Sequence, residues 1–243
     1  MTEFPSDSTR RDAFVTTRWT RVGLAQTDSD DGREALRDLC EAYYEPVVAF
    51  LRVALREADS ARDTSHAFFA ELLAGGRIAA ADRSRGRFRS YLLGAVKHFV
   101  AHRREAARRL RRGGGREAVP LDDPDTPEFE DTSQLSPEAA FDRQWAATVV
   151  ARGLEALRAE CAAEGKADLF EQVVDLLGGN ATHGDQAALA DRCGMSYDGF
   201  RMAVSRLRKR FRACVKAEVA GTLEDPAVVQ EEMETLFAAL AGR

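Results

Sequence analysis

The chain has 243 residues, 44% of them hydrophobic and 31% charged, with a formal net charge of −5. That length supports one large domain or two ordinary ones, each with its own core. The 7 prolines and 18 glycines exclude a collagen-like or wholly low-complexity chain, and no apolar run is long enough to span a membrane.

Taken in chain order, the pattern is helical throughout. Thr16 or Thr17 is placed to cap a short helix containing Trp19, Val22 and Leu24. Over 33–56, Leu36, Leu39, Tyr43, Val47, Phe50 and Ala54 recur at three- and four-residue spacing, which makes one apolar helical stripe. Pro46 is expected to kink that helix or split it in two. Asp59 or Ser60 is placed to cap the next helix, whose Ala61, Ser65, Phe68 and Leu72 share a face and which Gly75 and Gly76 end. Residues 88–110 align Phe88, Leu92, Val96, Phe99 and Leu110, with Lys97, His98, His102, Arg104, Arg108 and Arg109 on the opposite side. Trp145, Val149, Leu154, Leu157 and Cys161 mark a further helix, and 168–177 another. Residues 186–193 read as a short helix, Gly194 as a left-handed turn residue, Met195 as a buried plug and Ser196 as the cap of a helix over 197–215. There Phe200, Val204, Leu207 and Phe211 face inward, while Arg201, Ser205, Arg208, Lys209 and Arg212 lie on or near the outer side. Over 217–243, Asp225 and Pro226 suit N-cap and N1, and Val229, Met233, Leu236, Phe237 and Leu240 form a stripe on an appended helix. No segment alternates with a period of two, so the fold class is all-α: two helical domains joined by a flexible acidic linker.

Charge is sharply segmented. Residues 83–116 carry 12 basic and one acidic side chain, 117–142 carry nine acidic and none basic, and 201–216 carry seven basic and none acidic. Two such cationic blocks in an acidic protein point to a polyanion. The acidic block also holds Pro120, Pro124, Pro127 and Pro137 and follows three glycines at 113–115. Repeated proline prevents a helix and like charges extend the chain. The division is therefore a first domain over 1–112, a linker over 113–138 and a second domain over 139–243. A short helix, a glycine turn and a basic second helix make a helix-turn-helix, whose second helix fits the major groove of DNA.

At these residues the sequence resembles the extracytoplasmic-function sigma factors, the smallest sigma-70-type subunits of bacterial RNA polymerase. Residues 61–73 (ARDTSHAFFAELL) look like their region 2 clamp-binding helix, 86–99 (GRFRSYLLGAVKHF) like the promoter-melting segment, and 185–212 like region 4. Thr16, Thr17, Arg18 and Trp19, with 81–90, are similar to a branch that carries a C-terminal extension. Family members usually carry Gln-Glu where this chain has His66 and Ala67, Asn at the place of His98 and Asp at the place of His102. The resemblance implies core RNA polymerase and promoter DNA as partners, with an anti-sigma factor as a further partner of the same class. It implies polymerase contacts at Asp63, His66 and Phe69. It also implies single-stranded promoter contacts at Arg85, Arg87, Arg89, Tyr91, Lys97, His98 and Arg104. Duplex contacts then fall to Arg201, Ser205, Arg208, Lys209 and Arg212, with the arginines on phosphates or guanine and Tyr91 stacked on a base.

Other chemistries find little support. His98 and His102 stand at i, i+4, but Phe99 holds the place of the glutamate in HExxH and no third ligand is evident, so no metal is expected. The glycines at 113–115 lack the Lys-Ser/Thr of a phosphate loop, and no GxSxG occurs. No enzymatic activity and no cofactor are expected. Cys40, Cys161, Cys193 and Cys214 form no CxxC pair, and the N-terminus has no cationic start followed by an apolar core; a cytoplasmic location is therefore expected. The rival class is a free-standing helix-turn-helix regulator that binds duplex without polymerase. A third is a polymerase- or anti-sigma-binding protein that never reads DNA.

Overall fold

A computed structural model describes residues 18–56, 58–74, 87–113, 135–178, 183–223 and 225–242. Residues 75–86, residues 114–134 of the expected linker, and Thr16 and Thr17, expected as caps, lie outside the described residues. Among those described the fold is all-α, with no strand. The helices are α1 (Arg18–Ala25), α2 (Asp30–Leu55), α3 (Ala58–Ala74), α4 (Phe88–Gly113), α5 (Pro137–Ala163), α6 (Ala167–Leu177), α7 (His183–Arg192), α8 (Tyr197–Ala220) and α9 (Val229–Ala241). No helix among them is long and apolar enough to cross a membrane.

The described residues fall into two compact units, 18–145 and 146–240. The dividing line between these units lies inside α5, after residue 145. Pro137 is the reason α5 begins where it does. Ser136 Oγ accepts the Ala139 N–H at 3.1 Å, so Ser136 is the cap and Pro137 sits at the first helical position, where its missing N–H costs nothing.

In the first unit Ser29 caps α2 by accepting the Gly32 N–H at 3.0 Å, with Asp30 and Asp31 in the first turn. Pro46 does not split this helix, which runs unbroken from residue 30 to 55. Proline there costs about 3 kcal/mol. Buried Tyr43, Val47, Phe50 and Leu51 flank it, and at about 1.5–3 kcal/mol each their burial exceeds that cost. α3 starts at Ala58, so Asp59 and Ser60 lie within its first turn and do not precede it. Its Ala61, Ser65, Phe68 and Leu72 are all buried, as their spacing predicts. Edge-to-face pairs join Tyr43 to Phe88 at 5.3 Å and Phe68 to Phe99 at 5.5 Å, tying α4 to α2 and α3.

In the second unit α6 and α7 pack on α8. Leu157, Cys161, Phe170, Val173, Phe200, Val204 and Leu207 form one buried cluster, against which Met195 and Phe211 pack while half-buried. A Cβ at Gly153 would stand 2.7 Å from Val215 Cγ2, so glycine is what lets α5 and α8 approach this closely. The appended helix forms: Asp225 Oδ1 accepts the Ala227 N–H at 2.8 Å, and a 3-10 turn over Pro226–Val228 leads into α9. Val229, Met233 and Leu236 of its stripe are buried, while Phe237 and Leu240 are exposed.

Candidate nucleic-acid interface

The first candidate surface lies on α4. Its apolar side is fixed in the core by Phe88, Leu92, Val96 and Phe99. That orientation leaves Lys97, His98, His102, Arg103, Arg104, Arg108 and Arg109 exposed along the opposite side. Several of these cations are engaged. Lys97 Nζ lies 2.7 Å from Glu138 Oε1, which holds that carboxyl below its ordinary range. Arg104 Nη2 donates to Ala54 O at 2.6 Å, satisfying a carbonyl at the C-terminus of α2. Arg109 pairs with Glu105 one turn earlier. Glu71, His98, Phe99, His102, Arg103 and Ala106 line a cleft of about 350 Å³ between α3 and α4. No three His, Cys, Asp or Glu side chains among the described residues are grouped so as to hold a metal.

Arg89 requires a correction. It is buried: its guanidinium pairs with Asp142 and lies 4.4 Å from the Trp145 ring centroid. The cation therefore joins α4 to the start of α5 and is buried rather than presented outward. Among its expected neighbours, Arg85 lies outside the described residues, and Arg87 is half-exposed. Tyr91 is half-buried with its ring 6.0 Å from that of Phe88.

On α3, Asp63 and His66 are exposed. His66 Nε2 is 3.0 Å from Tyr44 Oη, and the two rings stack at 5.6 Å. Phe69 is corrected from an outward contact to core. It is 8% exposed, edge-to-face with Phe68 at 5.2 Å and stacked on Tyr44 at 6.1 Å. Its position one residue beyond Phe68 keeps it on the side of α3 that packs against α2.

The second candidate surface is α7, the turn and α8. Gly194 adopts φ +63°, the left-handed conformation the tight turn requires. Met195 N–H bonds to Ala190 O at 2.9 Å, and Ser196 Oγ caps α8 by accepting the Gly199 N–H at 3.2 Å. With Phe200, Val204 and Leu207 buried, the outer face presents Arg201, Met202, Ser205, Arg206, Lys209, Arg212 and Lys216 to solvent. Arg201 lies 5.9 Å from the Tyr197 ring.

Arg208 is the second correction among the cations. Its Nε and Nη2 donate to Leu176 O at 3.1 and 2.7 Å, so it caps the C-terminus of α6 instead of facing outward. Arg210 is also engaged, with Nη2 2.8 Å from both Glu160 Oε2 of α5 and Glu164 Oε1 in the turn that follows it. These hydrogen bonds raise the guanidinium's pKa, and those from Lys166 and Arg210 lower that of Glu164. Sequence reasoning missed Met202, Arg206 and Lys216 as outward residues. The spacing of the buried Phe200, Ala203, Val204 and Leu207 was the available signal, since it centres the exposed side on Met202, Ser205 and Lys209.

Compared with protein-family models, curated proteins and solved structures, the chain matches none.

Proposed function

We propose that the chain is a transcription-initiation factor of the extracytoplasmic-function sigma type, bringing bacterial core RNA polymerase to promoters. The observation that carries this reading is the outer face of α8. Five cations there (Arg201, Arg206, Lys209, Arg212 and Lys216) are exposed behind a capped glycine turn. Such a face suits the major groove, with its N-terminal residues nearest the base edges. The first unit adds a second cationic helix, α4, for which single-stranded promoter DNA is the matching ligand. A simple repressor has no use for that surface. The outer side of α3, with Asp63 and His66, is assigned to polymerase. Melting then depends on binding unstacked bases and not on ATP.

Two modest DNA-binding surfaces on separate units gain from an imposed spacing, so the chain alone binds promoter duplex weakly and core polymerase strengthens binding. Gel shifts with and without core polymerase, followed by transcription in vitro from a genomic promoter library, test this. Tight, specific binding by the chain alone, with no polymerase-dependent transcript, assigns it to the free-standing regulators instead.

A further inference from the structure

We propose that Met202 reads the C5-methyl group of a thymine in the duplex faced by α8, which makes it a specificity-determining residue; the inference rests on the DNA reading above. Met202 is 59% exposed, more than any other large hydrophobic side chain among the described residues outside the core. Its surroundings are polar. Ser205, Arg206 and Lys209 follow it at i+3, i+4 and i+7 on the same face, and all are exposed. Methionine holds no advantage over lysine, arginine or glutamine in helix propensity, so propensity does not account for an exposed thioether there.

The ligand that suits this face is anionic overall yet offers a small apolar target among polar groups. Duplex DNA supplies that combination, because the thymine methyl is the apolar group displayed in the major groove. Position agrees: Met202 lies in the second turn of α8, and the N-terminal part of a recognition helix lies nearest the base edges. Asp198, one turn earlier on the same face and exposed, repels phosphates from that end, which leaves base edges as its neighbours. The unbranched thioether side chain adapts to a methyl group without a preformed pocket.

The test starts from a randomised duplex library selected by the full chain, alone and bound to core polymerase. In the selected duplex each thymine is then replaced in turn by uracil, which removes only the methyl. One such replacement is expected to weaken binding by the wild-type chain about fourfold, the effect of losing one buried methyl. Met202→Ala should abolish that sensitivity and Met202→Leu should keep it, both with unchanged melting temperature. Arg212→Ala should weaken binding yet keep the uracil effect. Tolerance of uracil at every position overturns the inference and leaves the DNA reading standing. So does a uracil effect undiminished in Met202→Ala, or a Met202→Ala defect confined to assembly with polymerase, which gives the side chain to a protein partner. Enrichment of no duplex in either arm overturns the DNA reading and this inference with it.

Discussion

Replacing Arg89 with methionine separates a structural cation from a DNA contact. The Arg89 side chain is 9% exposed and pairs with Asp142, itself 30% exposed, while the guanidinium covers Trp145. Methionine keeps the helix propensity and much of the volume but leaves the Asp142 carboxylate without its cation. Removing one partner of a buried pair costs about 3–5 kcal/mol. Partial hydration of Asp142 recovers some of this, so a loss of about 2–3 kcal/mol is expected, of which about 1 comes from the lost cation–π contact. In a unit on the order of 100 residues each kcal/mol lowers Tm by about 4–8 °C, which gives a shift of roughly 8–24 °C in one of two melting transitions. Circular dichroism melts of Arg89→Met, Asp142→Asn and the double variant close the cycle, with a coupling of at least about 1 kcal/mol. High salt should leave the coupling intact while it screens exposed pairs such as Arg33–Asp30. An unchanged Tm with coupling below about 0.5 kcal/mol, together with a DNA salt slope reduced by about one, returns Arg89 to the phosphate-binding set and refutes the argument.

Burial and the nearby Glu160 push the Cys214 thiol up to about 11. The folded chain therefore holds that proton where the unfolded chain has released it, and stability falls as pH rises above about 9 toward 11. Urea midpoints across that range should fall for the wild type and fall less steeply for Cys214→Ala, in which the Cys40 and Cys161 thiols, also raised by burial, remain. On α9, Leu236 is fully buried and Phe237 is 56% exposed. Leu236→Ala should cost about 2–4 kcal/mol and Phe237→Ala less than about 0.5 in denaturant titrations, with slow amide exchange over 229–236 as the independent check.

What was legible in the sequence is what depends on neighbours within one helix. The period of Ala61, Ser65, Phe68 and Leu72 named a buried face, and the glycine and serine of the helix-turn-helix named a turn and a cap. What was not legible depends on partners far along the chain. Arg89 meets Asp142 across 53 residues, Arg104 meets Ala54 across 50 and Arg208 meets Leu176 across 32. A run of arginines records the sign of the field, but only packing decides which guanidinium is spent on a carbonyl or carboxylate inside the fold. Pro137 shows the same limit for backbone: a proline in an acidic stretch reads as a breaker, yet behind Ser136 it starts a helix.

That sorting of cations has a measurable consequence for α8. Of the seven basic residues in 201–216, Arg208 and Arg210 are engaged within the second unit, which leaves five for DNA. Each phosphate neutralised on B-DNA contributes about 0.9 to the slope of log K against log salt. The helix therefore contributes at most about 4.5, where the sequence count alone suggests about 6. Binding of the polymerase-bound chain to one promoter duplex, titrated across salt, distinguishes the two. Lys209→Gln and Arg212→Gln should each reduce the slope by about 0.9. Arg210→Gln should leave it unchanged, because Glu160 and Glu164 already neutralise that guanidinium, and should lower the melting temperature instead. Arg208→Gln should do likewise, since the carbonyl it caps loses a charge-assisted hydrogen bond of about 1.5–3 kcal/mol. A slope that falls by about 0.9 in Arg208→Gln or Arg210→Gln, with stability unchanged, means that the guanidinium leaves its partner when DNA binds and that this assignment does not hold in the complex.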